Sequence, residues 1–163
     1  MSRMEFGVQR SRCACRDCQL NCRHMPGFLI PADLERMVPA GTDPFAWAES
    51  NLLASPGAIV LKGSEMFRVH TLVPAVKADG SCIHLTGGKR NAKCAIHAIS
   101  PFGCAFFDCG PPTEGLAEQA LTTICKAGPE SLYARLWEHL DSIGKKQLAP
   151  EILRERIMGA FRK

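Results

Sequence analysis

Four cysteines fall within ten residues, Cys13-Ala14-Cys15-Arg16-Asp17-Cys18-Gln19-Leu20-Asn21-Cys22, and a second set answers them much later at Cys82, Cys94, Cys104 and Cys109. A chain that carries thiols in two such groups has to fold in a way that gives them a use. Disulfides are one use, and a metal centre is the other. Three observations favour the metal. Met1 to Val8 contains no apolar run of signal-peptide length, and charged residues recur from Arg3 onward. The cysteine total is nine, an odd number. Cys13 and Cys15 are also too close in sequence for an easy mutual bridge. Reduced thiols of a cytoplasmic protein, converging on a metal, are the expectation.

Closely spaced cysteines wrap an ion in a short loop, at low entropic cost. Cys15-x2-Cys18 is a chelating pair, and Cys18-x3-Cys22 extends it by a helical turn. The expected metal ligands are therefore Cys13, Cys15, Cys18, Cys22, Cys82, Cys94, Cys104 and Cys109. Zinc and iron–sulfur clusters both take thiolates, so ligand type does not separate them. The apolar run Pro101-Phe102-Gly103-Cys104-Ala105-Phe106-Phe107 would shield a centre from water, which tilts the choice toward iron–sulfur; the same phenylalanines would equally serve as core. His84 and His97 each lie close behind a cysteine. They are candidates for a supporting hydrogen bond to sulfur before they are candidates for ligands. Cys125 stands outside both groups and is expected to be a buried thiol without a metal role.

The 163 residues suit one domain, 1–163, with a metal-binding region over 13–109 and a helical region over 114–163. The net charge of +4 is small, and a tetrathiolate site of charge about −2 would offset half of it. Arg10, Arg12, Arg16 and Arg23 around the first group would favour thiolate over thiol, or else form a solvated basic terminus. No basic–aromatic stripe suggests a nucleic-acid partner, and no apolar run has membrane-spanning length.

The fold class expected is α+β: a small, helix-rich domain with short β-hairpins and an irregular, metal-bound cysteine loop. Pro31 opens a short helix, and Thr42 or Asp43 caps a second opened by Pro44. That second helix takes in Leu52 and Leu53 and stops at Ser55-Pro56-Gly57. Ala58–Leu61 and Met66–Val73 read as paired strands. Short strands are expected at 81–85 and 93–97, and an irregular loop at 100–112. Helices follow at 114–126 and 130–143, the latter with Leu132, Leu136, Leu140 and Ile143 on one face, and a last helix opens at Pro150.

Cys15-x2-Cys18-x3-Cys22, followed by Pro26-Gly27-Phe28-Leu29-Ile30-Pro31-x-Asp33-Leu34-Glu35, resembles the opening of the YkgJ-type cysteine-cluster proteins. Gly80-Ser81-Cys82-Ile83-His84, Cys94-Ala95-Ile96-His97 and Pro101-Phe102-x-Cys104 are similar to that family's second half. The resemblance covers residues 13–109 and implies a zinc- or iron-chelating domain, or one that holds an iron–sulfur cluster. The chain departs from the family in having Cys22-Arg23 where many members have adjacent cysteines. Ser100 and Ala105 stand where arginine is common, so no role of those arginines carries over. The function expected is that of a metal-binding protein serving electron transfer, redox sensing or metal handling, with an unidentified protein partner left open. The alternative is a zinc-stabilised protein- or nucleic-acid-binding module whose metal is purely structural. No catalytic set accompanies the cysteines.

Overall fold

The computed structural model describes residues 16–62, 64–88, 91–105 and 115–148. These form an α+β fold of six helices and two small antiparallel sheets. Helix α1 spans Arg16–His24, α2 Pro31–Met37 and α3 Pro44–Asn51. Strands β1, Leu52–Lys62, and β2, Glu65–Pro74, make a long hairpin. Two-residue strands β3, Leu85–Thr86, and β4, Lys93–Cys94, follow. A 3-10 turn at His97–Ile99 leads to α4, Phe102–Ala105; α5 spans Leu116–Ala127 and α6 Leu132–Ser142. The helix expected after Pro150 lies outside the described residues.

Asp43, not Thr42, caps α3: its carboxylate accepts from the amides of Phe45 at 3.4 Å and Ala46 at 3.1 Å. Helix α3 ends earlier than its apolar pattern suggests. Leu52 and Leu53 belong to β1, where they stand opposite Pro74 and Val73. The Ser55-Pro56-Gly57 stretch interrupts a strand rather than a helix. The register shifts between Ser55 and Ala58, a bulge that takes in the proline, which has no amide to donate. Gly57 has φ +78°, and a Cβ there would lie 1.7 Å from the Val69 carbonyl oxygen. Turn-forming residues inside a bulged strand look locally like a helix stop, and only pairing with β2 reveals the difference.

The main core joins α2, α3 and the base of the hairpin to α6. Leu29, Leu34, Ala48, Leu52, Leu72, Leu136 and Leu140 are among its buried members, and among the described residues it contains no cysteine. On α6 the buried positions are Tyr133, Leu136 and Leu140. Leu132 and Ile143, expected on that face, are 38% and 46% exposed. The stripe is turned so that a tyrosine enters the core, which an aliphatic pattern does not flag.

Tyr133 earns its place by hydrogen bonding. Its hydroxyl donates to the Leu29 carbonyl at 2.7 Å and accepts from the Leu72 amide at 2.8 Å, while Leu29 N–H donates to the Leu72 carbonyl at 2.8 Å. One phenol thus clamps the segment before α2 to the end of β2. A buried phenol replaced by phenyl leaves both backbone groups without it, at about 1–3 kcal/mol. Tyr133→Phe is expected to lower stability by about 2 kcal/mol, read as a lower midpoint with unchanged slope in urea unfolding.

Candidate metal centre

Four of the eight expected ligands, Cys22, Cys82, Cys94 and Cys104, have described side chains. Cys13, Cys15 and Cys109 lie outside the described residues, and of Cys18 only its place in α1 is described. The four arrive from different elements. Cys22 sits in the last turn of α1, and its carbonyl accepts from the Cys82 amide at 2.7 Å. Gln19, one turn earlier, donates through Nε2 to the Ala92 carbonyl at 3.1 Å, which lays α1 against the approach to β4. In β4, Cys94 pairs with Leu85 of β3. Cys82, Leu85 and Ala92 form a small buried cluster, with Cys22 packed against it.

The strands expected at 81–85 and 93–97 are thus reduced to two residues each. Cys82 instead lies in a tight turn whose Leu85 amide donates to the Cys82 carbonyl at 3.0 Å. The backbone of His84, and more weakly that of Leu85, lowers the Cys82 pKa against its burial. Amide dipoles beside sulfur favour its charged form, so this turn offers a thiolate a place to sit.

Cys104 is brought in by a close backbone crossing. Gly103 N–H donates to the Phe28 carbonyl at 2.8 Å. A Cβ on Gly27 would lie 2.1 Å from the Gly103 carbonyl carbon, and one on Gly103 would lie 2.4 Å from the Phe28 nitrogen. Only glycines allow this approach, which leaves the Cys104 sulfur 3.8 Å from the Gly27 carbonyl oxygen. Phe102–Ala105, expected as an irregular loop, is a helical turn. Phe102 fills core: it is 4% exposed and packs with Ile30, Leu116 and Ala120, its ring 5.6 Å from that of Phe28, while Phe106 and Phe107 lie outside the described residues.

A carboxylate holds this crossing in place. Asp33, fully buried, accepts from the Ile30 amide at 2.9 Å and from the Phe102 amide at 2.8 Å, and it pairs with Arg36. Burial raises its pKa above the ordinary carboxylate range, while the two amides and Arg36 pull it down. An acid in the first turn of a helix is a familiar capping signal, but nothing local announces that it also reaches Phe102.

The four thiols lie within electrostatic reach of one another. Cys22 is raised chiefly by burial and then by Cys94. Burial pushes the Cys82 thiol up to about 11, with Cys22 and Cys94 adding to the rise against the two amides. Cys104 is raised further, by burial first and then by Cys22, with smaller additions from Cys82 and Cys94. Placing several thiolates together in a poorly hydrated region costs energy unless a cation compensates. His84 follows the same physics in the opposite sense: burial lowers its pKa and keeps the imidazole neutral.

Cys125 departs from expectation, being exposed on α5 and not buried. Among the described residues, no group of three or more His, Cys, Asp or Glu side chains is arranged so that it could hold a metal ion as it stands. The side chains nevertheless suit such a group in kind, since Cys22, Cys82, Cys94 and Cys104 are all free thiols within electrostatic reach of one another. No described helix is long and apolar enough to cross a membrane. Comparison of the chain with family models, with curated proteins and with solved structures finds no match.

Two tests follow from the geometry. Asp33→Ala removes an acceptor from two backbone amides and leaves Arg36 beside an apolar gap. It is expected to cost about 3–5 kcal/mol in urea unfolding. The second concerns the thiols of the reduced, metal-free protein. At pH 8 a thiol with a pKa of about 11 is only about one-thousandth thiolate, the reactive form. Iodoacetamide should therefore label exposed Cys125 well before Cys82 and Cys104. Cys82 labelling should quicken about tenfold per pH unit from pH 8 to 10, as peptide mass spectrometry would record.

Proposed function

We propose that the chain is a thiolate metal-centre protein of the YkgJ-type cysteine-cluster kind. In this reading the thiols of Cys22, Cys82, Cys94 and Cys104, with those of Cys13, Cys15, Cys18 and Cys109, hold an iron–sulfur cluster or zinc. The observation that carries the reading is the 2.7 Å bond between the backbones of Cys22 and Cys82, with Cys94 next to them on β4. Members of two cysteine groups far apart in sequence meet there, and the described thiols Cys22, Cys82, Cys94 and Cys104 are free.

When bound, the metal would supply the positive charge that clustered thiolates lack. The chain contributes the rest. The His84 and Leu85 amides stabilise charge on the Cys82 sulfur, and the Gly27–Gly103 crossing delivers Cys104 from the far side. Phe28 and Phe102, next to the crossing glycines in the chain, pack against each other in the core. A half-buried sulfur environment with backbone amides that favour charge suits electron transfer, redox sensing or metal handling, since burial and hydrogen bonds to sulfur set a cluster's potential. Reduced thiols of this kind belong in a reducing, cytoplasmic compartment.

Purification of the full chain without oxygen tests this directly. Iron–sulfur gives a brown protein with acid-labile sulfide, and zinc gives a colourless one with metal by elemental analysis. Cys22→Ser and Cys94→Ser should each lower the metal-to-protein ratio, because oxygen replaces a thiolate poorly. Cys125→Ser should leave that ratio unchanged and shift stability by no more than about 0.5 kcal/mol, as expected of an exposed site. Wild-type protein that carries neither iron nor zinc, and takes up neither on reconstitution, would sink the proposal.

A further inference from the structure

Cys22 and Cys82, far apart in the chain, are joined directly through their backbones: the Cys82 amide donates to the Cys22 carbonyl at 2.7 Å. A carbonyl oxygen lies about 2.4 Å from its own Cα and an amide nitrogen about 1.46 Å from its own, so with that bond the two Cα atoms are at most about 6.6 Å apart. Disulfides span Cα separations of about 4.4–6.8 Å. The Cys22 side chain also packs against the small cluster that Cys82 forms with Leu85 and Ala92. Of the charged groups that act on the Cys82 thiol, Cys22 is foremost, ahead of Cys94. Both cysteines are fastened. Gln19 ties α1 to the Ala92 carbonyl at 3.1 Å. Around Cys82, the Lys77 amide donates to the Ser81 carbonyl at 2.7 Å, and the Ile83 amide to the Ala75 carbonyl at 3.0 Å. The Asp79 carboxylate accepts from the Ser81 amide at 2.9 Å. The fold thus keeps two free thiols at bridging separation without a bond between them.

We propose that Cys22 and Cys82 form a thiol–disulfide switch, closed by a hydroperoxide and reopened by a dithiol. The switch goes beyond the metal-centre reading and needs no metal. Cys22 is half-buried whereas Cys82 is 5% exposed, so the oxidant reaches Cys22 first. With hydrogen peroxide, the Cys22 sulfur takes one oxygen as the O–O bond breaks, leaving a sulfenic acid and one water. The Cys82 sulfur then attacks that of Cys22, the S–O bond breaks, and a second water leaves. Two electrons pass from the sulfurs to peroxide, and the two thiol protons end in the two waters. A dithiol returns both electrons and both protons by exchange. Once bridged, neither sulfur is a thiolate, and α1 is tied covalently to the turn at Cys82. In a reducing compartment such a bond is transient and serves to report an oxidant.

Peptide mapping of the reduced, metal-free full chain tests the pairing. The protein in dilute solution receives one equivalent of hydrogen peroxide, its remaining thiols are alkylated, and the monomer is digested with trypsin without reductant. Peptides 17–23 and 78–89 should be recovered linked, with fragmentation placing the bond on Cys22 and not on Cys18, and dithiothreitol should separate them. This link should exceed every other bridge to Cys82 by at least about tenfold in the native chain and lose its lead in denaturing urea, because only the fold gives the two thiols a high effective concentration. Cys82 recovered fully alkylated while other cysteines oxidise, or bridged mainly to a different cysteine, overturns the assignment. Both results are read from the wild-type chain without metal, so they depend neither on a variant that folds nor on the metal-centre reading.

Discussion

The buried carboxylate of Asp33 is the interaction on which the cysteine region depends. It receives amides from two segments far apart in sequence, Ile30 ahead of α2 and Phe102 at the start of α4. A charge withdrawn from water is tolerated only when its oxygens are fully used, and here two amides and Arg36 use them. Apolar contact between Ile30 and Phe102 alone would permit sliding. Directed bonds to one carboxylate do not, and so the Gly27–Gly103 crossing and the Cys104 sulfur inherit a defined position.

That clamp belongs to a division of labour. The main core, stitched by the Tyr133 phenol, is built of aliphatic and aromatic side chains and, among the described residues, contains no cysteine. The thiols gather to one side, in a small cluster of Cys82, Leu85 and Ala92 with Cys22 against it. Scaffold and centre are therefore stabilised by different physics: hydrophobic burial in one, backbone hydrogen bonds and side-chain clamps in the other. Phe102 stands at the boundary, filling core on one side while lying two residues from a thiol on the other. A protein built this way can tune its sulfur environment without rebuilding its core.

Within the thiol region two effects oppose one another. Burial and mutual repulsion raise the thiol pKa values, whereas the backbone of His84 and Leu85 favours charge on Cys82. Amides beside a neutral thiol gain little.

Much of this was legible in the residues. Cysteine grouping, Pro at helix starts, the Asp43 cap and the β-rich run at 66–73 are local signals, and local chemistry decides them. The α+β class and the elements α2, α5, α6 and β2 could be read in that way, with ends displaced by a residue or two. What the sequence could not state was which segments meet. Leu52 and Leu53 look helical until β2 pairs with them, and the Pro56-Gly57 stop becomes a bulge only against Val69. Cys125 looks like a small buried hydrophobe, yet α5 turns it to solvent, because Leu116, Ala120 and Leu121 take the inner face. The sequence by itself determined the grouping of the thiols and the periodicity of the scaffold. Tertiary structure alone decided that Cys22 lies on Cys82 and that Asp33 reaches Phe102, since long-range pairing is chosen by packing and hydrogen-bond satisfaction across the whole fold and leaves no periodic trace in the chain.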